Sequence, residues 1–109
     1  MKSEWQILLD KLKERFEVEP DVDAVIFLIG LQELGKPFQK YKKDEKLEIM
    51  HVAICTLLEP FGFYEFEGKD QDGWPHWRVI EQLPHLDEKQ QNKLMIDAIL
   101  DYFKNQGFI

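Results

Sequence analysis

Three histidines, one cysteine and 21 acidic side chains are the groups in this sequence that could hold a metal or move a proton. His51 and Cys55 stand four apart, a spacing that puts both on one face of a helix, and His76 and His85 would complete a tetrahedral zinc set. No C-x-x-C or H-E-x-x-H spacing accompanies them. The neighbouring Leu47, Ile54 and Leu58 equally make His51 and Cys55 members of a buried helix face. Glu65 and His76 are the second candidate pair, a carboxylate and an imidazole that meet if their two segments pair as strands; an exposed ion pair is the plainer reading. The segment Asp70-Gln71-Asp72-Gly73 begins as a calcium loop does and places Glu81 at the twelfth position. However, Pro75 falls where the sharp turn needs Gly, and Trp74 replaces an oxygen ligand. No cofactor is expected.

The nucleophile inventory is short. Ser3 is the one serine and Thr56 the one threonine. Ser3 with Gln6 has the spacing of a helix capping box, and Thr56 shares an apolar helical run with Cys55. A thiol buried in such a run, away from cations, is a poor nucleophile. With Arg15 and Arg78 as the only arginines, and neither a G-x-x-x-x-G-K-[ST] loop nor a G-x-G-x-x-G turn, the sequence argues against phosphate-cradling nucleotide sites.

The elements that must position these residues follow from hydrophobic spacing. Trp5, Leu8, Leu9, Leu12 and Phe16 predict an amphipathic helix over about 4–17. Pro20, Asp21 and Asp23 open a second helix, 21–34, which Gly35 and Pro37 close. Its run from Val25 to Leu31 is apolar all round, apart from Gly30, which predicts a central helix crossed closely by a neighbour at that glycine. Asp44 is the expected cap of a third helix reaching about Glu59, where Pro60 and Gly62 stop it. The period then changes to two: residues 63–67 and 75–80 flank turn chemistry, predicting a β-hairpin. Placing Glu67 opposite Trp74 sets Tyr64 opposite Trp77 and Glu65 opposite His76. Tyr64, Phe66, Trp77 and Val79 then share the core face, while Glu65, His76 and Arg78 share the wet one. Asp87 with Gln90 starts a fourth helix to about Asn105, with Gly107 beyond it. The expected fold is therefore α+β and mainly α, four helices with one hairpin between the third and fourth, in a single domain over 1–109.

The segments Phe27-Leu28-Ile29-Gly30-Leu31-Gln32-Glu33-Leu34-Gly35 and Asp70-Gln71-Asp72-Gly73-Trp74-Pro75-His76-Trp77 resemble those of a family of short bacterial proteins. The resemblance covers most of the chain and implies a bacterial origin. It brings no activity with it and assigns no functional residue.

Charge narrows the function further. A net charge of -7 and a pI near 4.9 disfavour non-specific attraction to nucleic acid and to anionic lipid. The start Met1-Lys2-Ser3-Glu4 lacks a signal peptide's apolar run, and one cysteine excludes an internal disulfide, so the cytoplasm is the expected location. No apolar run approaches the roughly 18–20 residues of a membrane span. Three helices followed by a hairpin is the element order of winged-helix domains. Yet the would-be wing, 61–82, carries five acids against Lys69 and Arg78, and the best basic patch is the separate stretch Lys36, Lys40, Tyr41, Lys42 and Lys43. Aromatic residues crowd the hairpin. The expected function is accordingly a non-catalytic interaction or ligand-binding module that takes a protein partner or a second copy of itself. Its candidate binding residues are Trp74, His76, Glu65, Arg78, Asp70 and Asp72. The alternative is a small metal-dependent protein or enzyme centred on His76 and Glu65 or on His51 and Cys55.

Overall fold

The computed structural model describes residues 2–16, 20–82 and 84–108. It contains helices α1 (Glu4–Phe16), α2 (Val22–Leu34) and α3 (Lys43–Leu58), a short 3-10 turn (Glu59–Phe61), strands β1 (Tyr64–Lys69) and β2 (Pro75–Val79), and helix α4 (Glu88–Asn105). The fold is α+β and mainly α, with a two-stranded antiparallel hairpin between α3 and α4, as the sequence pattern predicts. Residue 17, the expected end of the first helix, lies outside the described residues. No helix among the described residues is long and apolar enough to cross a membrane.

The chain forms two compact units, Met1–Val25 with Leu86–Ile109, and Ile26–His85. In the first, Leu8 and Leu12 of α1 and Ala98, Ile99 and Phe103 of α4 are buried. The two helices are tied at their polar margins. Lys104 Nζ lies 2.5 Å from Glu4 Oε2, and Lys11 Nζ donates to the Phe108 carbonyl at 3.1 Å. Both helix starts are capped as their sequences require. Ser3 Oγ accepts from the Gln6 amide at 3.1 Å, while Asp87 and Gln90 exchange reciprocal bonds of 2.8 and 3.1 Å.

In the second unit, α2 and α3 meet at Gly30. A Cβ built there would stand 2.3 Å from the Ile49 carbonyl oxygen and 2.6 Å from Ile49 Cγ2, so only glycine permits this crossing. The connection between the helices is held down by Tyr41, whose hydroxyl donates to the Pro37 carbonyl at 2.6 Å and whose ring meets Phe27 edge-on at 5.9 Å. Helix α3 starts two residues earlier than expected. Lys42, extended at φ -67° and ψ 158°, is its cap, and the Lys42 amide donates to Glu45 Oε1 at 3.0 Å. Asp44 is thus not the cap but a first-turn residue, where its charge faces the positive end of the helix dipole.

The hairpin departs from the expected register. Tyr64 pairs with Val79, Glu65 with Arg78 and Phe66 with Trp77; after an irregularity at Glu67, Gly68 pairs with His76 and Lys69 with Pro75. The strands run closer to the tip than their periodicity suggested because Gly68, at φ 112°, lets β1 bulge and continue. Gly73, at φ 82°, then closes the turn, with the Asp70 amide donating to the Trp74 carbonyl at 2.9 Å. The pairings of Tyr64 with Trp77 and of Glu65 with His76 are therefore replaced. The faces survive: Tyr64, Phe66, Trp77 and Val79 still share one side, since a register shifted by two residues keeps every side chain on its face.

Candidate functional site

The turn is organised by one carboxylate. Asp70 Oδ1 accepts from the backbone amides of Asp72 (2.9 Å) and Trp74 (3.0 Å), and Asp70 Oδ2 lies 2.9 Å from His76 Nε2. These contacts, the His76 bond first, hold the Asp70 carboxyl below its ordinary range. Two residue pairs further along the ladder, Arg78 forms an ion pair with Glu65, which raises the guanidinium's affinity for its proton. The six residues singled out by the sequence thus divide into two exposed pairs, Asp70 of the turn with His76 and Glu65 across the strands with Arg78, a half-buried Trp74 that closes the turn through its backbone, and Asp72 exposed at the tip. Glu65 and His76 do not meet: each has another partner.

The opposite face joins the hairpin to α3. The Tyr64 ring stands edge-on to His51 of α3 at 6.5 Å, and Phe66 lies against Trp77 with centroids 5.0 Å apart and planes inclined by 55°. Burial raises the proton affinity of the Tyr64 phenol, with the nearby Cys55 adding to it. Coverage of this face is incomplete. Tyr64 and Trp77 are half-buried, whereas Phe66 and Val79 are 44% and 56% exposed and the adjoining Ile80 55%. Trp77 Nε1 is shielded from solvent and finds no hydrogen-bond partner among the described residues, a desolvation cost of about 1–3 kcal/mol.

Beside Trp77 the hairpin, α3, the end of α2 and the 3-10 turn enclose a cleft of about 240 Å³ lined by Glu33, Val52, Thr56, Glu59, Phe66, Lys69, Pro75 and Trp77. Sequence reasoning missed this cleft. The available signal was the spacing of Val52 and Thr56, which at i and i+4 share one face of α3, with Glu59 following just past the helix end in the 3-10 turn.

His51 and Cys55 do come together, with Nε2 3.6 Å from Sγ. The geometry is that of successive turns of one helix, and burial pushes the Cys55 thiol up to about 11, so it stays protonated at neutral pH and is unsuited to attack. His76 is engaged with Asp70 instead. Among the described residues no group of three or more His, Cys, Asp or Glu is arranged to hold a metal ion. Lys36, Lys40, Lys42 and Lys43 are exposed, and Tyr41 is half-buried against its own loop.

The chain matches no protein-family model, no curated protein and no solved structure.

Proposed function

We propose that this protein is a non-catalytic binding module that recognises its partner, a second copy of itself, through the hairpin. The observation that carries the reading is the incomplete cover of an apolar sheet face. Phe66 and Val79 stay exposed on a ribbon that has two strands among the described residues, which leaves the outer edge of each strand without a ladder partner there. Exposed apolar anchors are the usual composition of an interface centre, and two-stranded ribbons gain stability when further surface packs on them. The charge lies on the ribbon's other face, in Glu65 with Arg78 and Asp70 with His76, and at the tip in Asp72. The hairpin's cross-strand ion pair of Glu65 with Arg78 offsets part of the acidity that would oppose pairing of like surfaces.

Sedimentation equilibrium tests this directly. The wild-type chain should associate to a dimer, and Val79→Glu, which places a carboxylate on the exposed apolar face, should weaken association at least tenfold while far-UV circular dichroism stays unchanged. A wild-type chain that remains monomeric at high micromolar concentration, or a variant that dimerises as well as the parent, rejects the reading.

A further inference from the structure

The phase of the β1–β2 ladder decides which backbone groups its edges present. Ile80 donates to the Phe63 carbonyl at 3.0 Å and, past the irregularity at Glu67, Asp70 donates to the Trp74 carbonyl at 2.9 Å. Antiparallel pairs alternate between those that exchange hydrogen bonds and those that do not, so Glu65 and Arg78 bond to each other, whereas the pairs Tyr64 with Val79 and Phe66 with Trp77 do not. The N–H and C=O groups of Trp77 and Val79 therefore point outward along the edge of β2. Pro75, in the same phase, adds a carbonyl there but no N–H. No bond from a turn, a loop or a side chain among the described residues reaches these groups. Helix α3 and the 3-10 turn pack instead against β1, where the His51 ring meets Tyr64.

An open strand edge is completed by another strand, and the edge of β2 fits its own copy. We infer that two copies pair antiparallel through β2, about a two-fold axis at Trp77, to make one four-stranded sheet. In that register Trp77 exchanges a reciprocal pair of hydrogen bonds with the partner's Trp77, and each Val79 amide donates to the partner's Pro75 carbonyl. The ladder ends there, because Pro75 has no N–H to return. Opposite residues share a face, so the Val79 side chain, 56% exposed in the single chain, comes to lie beside the partner's Pro75. Charge selects this register over its alternatives. Arg78 falls opposite the partner's His76, which carries the Asp70 carboxylate 2.9 Å away. An axis at Arg78 would set guanidinium against guanidinium, and pairing through β1 centred on Glu65 or Phe66 would set Glu65 against the partner's Glu65 or the partner's Glu67. The inference rests on the proposed self-association through the hairpin and names the contact that makes it.

The test uses the full-length chain at a concentration where sedimentation shows a dimer. In a mixture of isotope-labelled and unlabelled chains, a filtered nuclear Overhauser experiment should connect the Hα of His76 with the Hα of the partner's Arg78, two protons that this ladder brings face to face across the new strand pair. Val79→Pro deletes an N–H that the hairpin itself does not use. It should weaken dimerisation about tenfold or more relative to Val79→Ala, which keeps that N–H. The wild-type Hα contact decides the matter if Val79→Pro does not fold. A dimer that lacks this contact, or a folded Val79→Pro chain that dimerises as tightly as Val79→Ala, overturns the inference. If Val79→Glu still weakens such a dimer, the copies pack face to face, and the proposed function stands without edge pairing. A mass that keeps growing beyond the dimer with concentration indicates pairing of β1 with the partner's β2, which has no closing symmetry, and overturns the inference as well. A chain that stays monomeric rejects both readings.

Discussion

Gly30 faces a carbonyl oxygen of another helix, and backbone cannot move aside as a flexible side chain can. Alanine is intrinsically better in a helix by about 1 kcal/mol, but the clash at 2.3 Å outweighs that preference, so Gly30→Ala should destabilise the fold by about 3 kcal/mol or more, as read by urea denaturation. Trp77 offers a graded comparison. Removing the ring in Trp77→Ala should cost about 3–5 kcal/mol, while Trp77→Phe should cost clearly less, because it keeps much of the contact with Phe66 and deletes the unpartnered N–H. Cys55 should react with a thiol reagent only slowly at pH 7.5 until the protein is unfolded. Its folded value of about 11 lies above that of a free thiol, so its contribution to stability is complete below the unfolded value and is lost as the pH rises through about 11. Asp70 works in the opposite sense. Its carboxyl is held low by His76 and the turn amides, so its contribution is present above the ordinary carboxylate range and disappears as the pH falls through its lowered value. The thermal midpoints of wild type and Asp70→Asn should accordingly differ at neutral pH and converge in strong acid.

Elements were legible where local chemistry decides them. The caps Ser3 and Asp87, the Asp21 side chain that accepts from the Ala24 amide at 2.8 Å, and the stops at Gly35, Gly62 and Gly107 all lie where the sequence placed them, because a cap is satisfied within three residues of itself. The helix α3 cap was misplaced by a rule of type: Asp44 is the better capping residue, yet Glu45 reaching back to the Lys42 amide fixed the start instead. The hairpin shows the limit more sharply. Its faces were readable from alternation, but its register depended on one glycine's positive φ, and a bulge leaves no trace in a period-two pattern. The cleft was less legible still. It draws Glu33, Thr56, Glu59 and Trp77 from four elements, and their convergence is a property of packing that no single segment encodes. The proposed binding residues were legible as a group on the hairpin, while their partners, Asp70 for His76 and Glu65 for Arg78, followed the register and were not.

At the scale of the whole molecule, charge sets expectations that no single contact does. A chain of net charge -7, whose exposed lysines are spread along it among more numerous acids, should bind duplex DNA no tighter than the non-specific range of roughly 10⁻⁴–10⁻⁶ M at about 150 mM salt, measured by fluorescence anisotropy. Like charge on both copies also means that dimerisation through the hairpin should strengthen as salt is added, the reverse of association driven by opposite charges. The division into units adds a consequence in time. The first unit is built from the two ends of the sequence, Met1–Val25 and Leu86–Ile109, whereas the second is one continuous stretch between them. On a ribosome adding about 5–20 residues per second, the continuous unit is fully synthesised roughly 1–4 s before the last residues of α4 are added. Through that interval the apolar stripe of α1, with Leu8 and Leu12 at its centre, must wait for its counterpart, so early exposure to chaperones or to neighbouring nascent chains is written into the order in which the parts are made.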